Sequence, residues 1–140
     1  MYFNNKMKLE FLSLSRNESF ARATVAAFVS QLDPTIEEIA DIKTALSEGV
    51  TNAIIHGYGN EAGIVTIECE LNEKNVRILV EDKGKGIKDT EKARTLFYTE
   101  SDTEERSGMG FTVMETFMDS LEIISEIGKG TRIVMTKKIN

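Results

Sequence analysis

Two stretches of this chain, Val65 to Asp82 and Leu121 to Thr136, alternate apolar and polar residues on both sides of a short turn, Asn72-Glu-Lys-Asn75 in the first and Gly128-Lys-Gly130 in the second. Alternation with period two marks a strand with one buried face, and two such runs joined by a short polar or glycine turn read as an antiparallel hairpin. Met7, Leu9 and Phe11 alternate with Lys8 and Glu10 and predict a further strand near the N-terminus. The rest reads as helix. Ser15-Arg-Asn-Glu18 has capping-box spacing, and Ala21, Val25, Phe28, Val29 and Leu32 then fall on one face, with Arg22 outside the stripe. Asp33-Pro34 interrupts that helix. A second capping box, Thr35-Ile-Glu-Glu38, opens a longer one whose stripe is Ile39, Ile42, Leu46, Val50, Ala53 and Ile54, until Gly57 and Gly59 stop it. Glu48, Asn52 and His56 line a different stripe of that helix, because each step of four turns about 40° past a full turn. A short helix is expected around Asp89 to Leu96, a polar loop over Thr99 to Ser107, and a helix carrying Phe111, Met114, Phe117 and Met118. Helices and paired strands segregated in this order predict an α+β fold, a two-layer sandwich with helices on one face of a mostly antiparallel sheet. No linker or internal repeat breaks the chain, so residues 1–140 are expected to form one domain.

Hydrophobic residues make up 41% and charged residues 29% of the 140, ordinary globular usage. The net charge of −6 argues against nucleic acid as a direct partner. No apolar run approaches the roughly 20 residues needed to span a bilayer, and no signal-peptide core follows Met1, so no membrane association and a cytoplasmic location are expected. Cys69 alternates with Val65, Ile67 and Leu71 and reads as a reduced, strand-buried thiol.

Among common site chemistries, P-loop and dinucleotide-binding motifs are absent, and one Cys with one His cannot by themselves make a zinc site. Three features remain. Glu48 and Asn52, four apart, set a carboxylate beside an amide oxygen on one helical turn, although the same pair also describes a solvated helix face. Gly49 between them weakens the helix by about 1 kcal/mol relative to alanine. Asp82-Lys-Gly84-Lys-Gly86 ends a strand; its glycines let backbone approach a flat ligand while the aspartate accepts hydrogen bonds, as from an adenine amino group, and the same residues also make plain turns. Gly108-Met-Gly110 precedes the helix of Phe111, whose free N–H groups could hold phosphate.

Taken in order, these three features resemble the ATP-binding fold shared by gyrase, Hsp90, histidine kinases and MutL, over Asp33 to Thr136. Within it, Asn17-Glu-Ser-Phe-Ala-Arg22 and Arg106-Ser-Gly-Met-Gly-Phe-Thr-Val-Met-Glu-Thr-Phe-Met-Asp119 resemble the sporulation anti-sigma-F factors, which are serine protein kinases. The resemblance implies ATP or ADP and Mg²⁺ as cofactors. It implies Glu48 as general base, Asn52 as magnesium ligand, Asp82 as the adenine-binding aspartate with Gly84 and Gly86 shaping its pocket, and Thr131 as its support. It also implies a phosphate-side loop at Gly108 and Gly110, Arg106 near the terminal phosphate, and Arg22 as a partner contact. The partners implied are sporulation sigma factor F, which is inhibited, and an anti-anti-sigma factor that accepts phosphate on a serine. A homodimer is implied as well, with the Met7 to Phe11 strand a plausible edge for pairing. The chain departs from the family at Tyr98 to Glu105, which lacks a lysine-proline pair and is one residue longer, and at Gly49, which stands where alanine is usual. The alternatives are a nucleotide-binding sigma antagonist with little kinase activity and a free-standing histidine-kinase-like ATPase domain.

Overall fold

A computed structural model describes residues 4–59, 61–90 and 105–140, with side-chain surroundings from Gly110 onward in the last stretch. Five strands, β1 (Asn4–Leu12), β2 (Ile64–Asn72), β3 (Asn75–Asp82), β4 (Ser120–Glu126) and β5 (Gly130–Lys138), form one sheet in the order β1-β2-β3-β5-β4. Every pairing is antiparallel. Among the described residues three α-helices, α1 (Asn17–Val29), α2 (Ile36–Thr51) and α3 (Glu105–Phe117), complete the two-layer α+β sandwich that the segment order predicts.

The alternating residues build the interface between the layers. Met7, Leu9 and Phe11 pair in register with Cys69, Ile67 and Val65, which continue through Ile78 and Val80 to Met135 and Ile133. Ile67, Cys69, Ile78 and Met135 are wholly buried. Against them pack Ala21, Val25 and Val29 of α1, Ile42, Ala45, Leu46 and Val50 of α2, and Phe111 and Met114 of α3, all fully buried. Burial pushes the Cys69 thiol up to about 12, with Glu70 adding to the shift, so it stays protonated in the core as its alternation predicts.

Local signals succeed at one helix start and fail at another. Thr35 Oγ1 accepts the Glu38 N–H at 3.0 Å and Glu38 Oε1 accepts the Thr35 N–H at 2.9 Å, the expected capping box. At α1 the expected Ser15–Glu18 box does not form. The Glu18 N–H goes to the Ser15 carbonyl at 3.1 Å, and the Glu18 carboxylate pairs instead with Arg22 one turn on. The glycine pair Gly108 and Gly110 also differs from expectation, lying inside α3 rather than before it. Of the expected helix Asp89 to Leu96, residues 91–96 lie outside the described residues, as do residues 98–104 of the altered stretch Tyr98 to Glu105, while Glu105 to Ser107, expected in a polar loop, open α3 instead.

Candidate active site

Helix α2 does not run regularly to Gly57. After Thr51 it widens into a single π-helical stretch, Asn52–Gly57, closed by the Tyr58 N–H on the Ala53 carbonyl at 3.1 Å. Such insertions gather at functional sites. Here the irregular turn begins at Asn52, one helical turn after Glu48, and carries Asn52 and His56, both buried, while Glu48 itself is half-buried. Gly110 of α3 lies against Glu48: a Cβ there would sit 3.1 Å from Glu48 Oε2. The base candidate is therefore flanked by a residue with no side chain, which explains why a glycine is placed inside α3 and how that helix passes so near α2.

The end of the π-helical stretch meets the end of β3. A Cβ on Gly57 would lie 2.6 to 2.9 Å from the Asp82 carboxylate atoms, and one on Gly84 would lie 2.0 Å from the Gly57 carbonyl oxygen. Two more glycines complete the corner. Gly86 has φ +80° and would drive a Cβ to 2.2 Å from the Glu126 carbonyl oxygen; Gly130 has φ +110° and would drive one to 2.1 Å from the Asp82 carbonyl oxygen. Backbone fits against backbone here, with the Lys85 N–H on the Gly57 carbonyl at 2.9 Å and the Gly128 N–H on the Lys85 carbonyl at 2.7 Å.

Asp82 is 3% exposed and sits in register with Thr131, which is 4% exposed. Burial raises its carboxyl from 3.8 to about 6, opposed by the backbone N–H groups of Gly84, at 2.8 Å, and of Thr131, with Glu81 adding to the rise. At neutral pH the group is an ionised acceptor in a nearly dry corner, able to take a ligand's amino group. The same shift opposes folding. The folded chain holds this proton more tightly than the unfolded one, so the penalty is absent below about pH 4, grows as pH rises towards 6, and is complete above it.

The structure thus brings Asp82, Gly84, Gly86 and Thr131 together at one corner, and Glu48, Asn52 and Gly110 along the adjoining turn. The surroundings of Arg106 and Gly108 lie outside the described residues. Arg22 keeps off the apolar stripe of α1, as predicted, but is not loose: its Nη1 is 3.4 Å from Glu18 Oε2 and donates to Ser47 Oγ at 3.3 Å. Arg22, Ser47 and Glu48 line one groove between α1 and α2, of about 550 Å³, together with Ile36, Ile39 and Lys43.

Sequence reasoning missed four residues of this region. Gly57 and Gly130 read only as a helix stop and a hairpin turn. Tyr58 carried no motif, yet its hydroxyl donates to the Ile64 carbonyl at 2.6 Å and accepts the Lys83 N–H at 2.7 Å, clipping the segment after α2 to the Asp82 corner. Ser125 looked like one polar residue of an alternating strand, and its hydroxyl meets Thr131 Oγ1 at 2.8 Å.

For magnesium, the donor chemistry fits the metal's preference for few protein oxygens beside phosphate and water. Asn52 offers an amide oxygen type next to Glu48, and no cluster of three or more His, Cys, Asp or Glu competes among the described residues. No described helix is long and apolar enough to cross a membrane.

Comparison with known proteins identifies the family and the fold. Residues 13–137 match the histidine kinase-like ATPase domain family. The anti-sigma F factor of Clostridium novyi is 65% identical over 136 residues, 96% of this chain and 95% of that protein. That of Caldanaerobacter subterraneus is 61% identical over 139 residues, 99% of this chain and 97% of that protein. Among solved structures, the RsbU and RsbW domains of Rv1364c from Mycobacterium tuberculosis superpose with a TM-score of 0.70 at 22% identity, over 96% of this chain and 32% of that one. A blue-light activated histidine kinase from Erythrobacter litoralis gives 0.58 at 19% identity, over 84% of this chain and 40% of that one, so these two likenesses speak to the fold. With a histidine kinase-like ATPase domain, and with relatives this similar over nearly their whole length, the chain belongs to the anti-sigma F factor family.

Proposed function

We propose that this protein binds ATP or ADP with Mg²⁺ at the Asp82 corner, inhibits the sporulation sigma factor F, and phosphorylates a serine of an anti-anti-sigma factor. The observation that carries the reading is the buried, ionisable Asp82 walled by glycines, one π-helical stretch away from Glu48. Asp82 accepts the adenine amino group, and Gly84, Gly86 and Thr131 shape the pocket around the base. Bound at Asn52, magnesium would neutralise phosphate charge and orient the phosphoryl group. Glu48 accepts the proton of the incoming serine hydroxyl as its oxygen forms the new bond to the γ-phosphorus and the bond to ADP breaks. Arg106 and the Gly108–Gly110 segment serve the phosphate side.

Arg22 belongs to the partner-binding face of this reading. A guanidinium is a frequent interface anchor, and the groove it lines leads along α2 to Glu48. Two copies are expected to pair through N-terminal elements, supported by β1 being one edge of the sheet. A cytoplasmic location suits a sigma antagonist. The experiment that tests the whole is transfer of labelled γ-phosphate from ATP to an anti-anti-sigma protein: labelled phosphoserine on that protein is expected. ATP binding without transfer would reduce this chain to a nucleotide-binding antagonist.

A further inference from the structure

One stripe of α2 is not spent on the core. Ile36, Ile39, Ala40, Lys43, Ser47 and Glu48 recur at helical intervals and lie along a single face, roughly 18 Å from end to end at the rise of a regular helix. They form the α2 wall of the groove that Arg22 borders from α1. The stripe changes character along its length. Its first turn is apolar, and Ile36 there is 89% exposed, although an isoleucine gains by leaving water. Its middle is cationic. Lys43 is exposed, the positions one turn away on either side, Ile39, Ala40, Leu46 and Ser47, offer it no carboxylate, and among the described residues it makes no ion pair. Arg22 reaches the same stretch, with its Nη1 on Ser47 Oγ at 3.3 Å. The stripe ends at Glu48, the base candidate.

This order suits a protein that must deliver a hydroxyl to Glu48. On a chain of net charge −6, Lys43 and Arg22 offer a carboxylate of the incoming protein a cationic seat. Charge repulsion from Glu48 keeps that carboxylate away from the reacting end. An apolar side chain of the same protein covers Ile36. Only a phosphate acceptor has to reach Glu48, whereas a sigma factor can be held from the α1 side, where Arg22 stands.

We propose that this stripe of α2 is the docking surface for the phosphate-accepting protein, which presents along a line of roughly 18 Å an apolar side chain over Ile36, a carboxylate at Lys43 and the accepting serine at Glu48. The proposal rests on the serine-kinase reading of Glu48 and adds where the acceptor is selected.

The test is the initial rate of labelled γ-phosphate transfer from saturating ATP with magnesium to the anti-anti-sigma protein as its concentration is varied, using the full chain as wild type, Ile36→Ser, Lys43→Glu and Lys43→Arg. Both side chains are exposed, so these changes remove no buried contact. Ile36→Ser and Lys43→Glu are each expected to raise KM for the acceptor by about tenfold, while kcat and ATP affinity stay within about twofold. Lys43→Arg, which keeps the charge, is expected to keep the wild-type KM. An unmoved KM in both of the first two variants overturns the proposal, and so does a fall in kcat alone. Sigma factor affinity and oligomeric state, measured on the same variants, are expected to hold. A matching loss of sigma affinity would give the groove to the sigma factor, and a change of oligomeric state would give it to a second copy of the chain; either result overturns the proposal. No transfer by the wild type defeats the serine-kinase reading and this one with it, whereas wild-type transfer with an unmoved KM in the variants defeats this one alone.

Discussion

The two ends of the candidate site are made of different material. At the Asp82 corner the walls are backbone, and the space left by Gly84, Gly86 and Gly130 is already filled to within 2.0 to 2.2 Å of where a Cβ would go. Beside α2 the neighbour is instead the end of a flexible side chain: a Cβ on Gly110 would meet Glu48 Oε2 at 3.1 Å. A backbone-walled pocket can recognise a flat, rigid group but cannot adjust, while a side-chain-walled turn can accommodate a moving phosphoryl group and its acceptor. In the proposed function base recognition and chemistry fall to separate parts, and substitutions should separate them.

Glu48→Gln gives the largest expected effect and should break only the second part. Removing a positioned base typically lowers rate by about 10² to 10⁴, roughly 3 to 5 kcal/mol, and single-turnover transfer should fall by that much while calorimetry finds nucleotide affinity unchanged. Gly84→Ala should break the first part and the fold with it. With its Cβ aimed at the Gly57 carbonyl, it should cost about 3 kcal/mol in urea unfolding, the upper end for overpacking, and abolish detectable ATP binding. Arg22→Ala leaves the Asp82 corner untouched and alters only the groove that leads to Glu48. It should weaken sigma factor binding by about thirtyfold, roughly 2 kcal/mol, leaving ATP affinity as it was; equal sigma affinities in a paired titration would place the partner face elsewhere. Gly49→Ala should act in the opposite direction, raising stability by about 0.5 to 1 kcal/mol through helix propensity and unfolded-state entropy, read as a higher urea midpoint at unchanged slope.

The same contrast explains what could be read from the sequence. The five strands and the stripes of α1 and α2 were legible because period and burial are local and repeated: Val65, Ile67 and Cys69 are all wholly buried. The Thr35 box was legible because Glu38 keeps Oε1 on the Thr35 N–H while its other oxygen takes the Asn140 N–H, whereas at Ser15 the Glu18 carboxylate pairs with Arg22 one turn on. The π-helical stretch was not legible. Gly57 there packs on Asp82, a residue remote in the chain, and no local pattern announces such a contact. Likewise Gly110 reads as loop by propensity, and only its approach to Glu48 shows why a helix tolerates it. Asp82, Gly84 and Gly86 were found from motif order, but their role as a backbone-walled corner needed Gly57 and Gly130, which come from separate turns.

The central claim is that an ionised, buried Asp82 binds the adenine base, and ATP titration of wild type and Asp82→Asn across pH tests it most directly. The wild type should bind one ATP per chain and lose affinity by about tenfold per pH unit below about 6, as the carboxyl of the free site takes up its proton. Asp82→Asn, with an amide donor facing an amino donor, should bind far more weakly at neutral pH and lack that added slope, which separates it from titration of the nucleotide's own phosphates. Wild-type affinity in Asp82→Asn, with the same pH profile, would contradict the account.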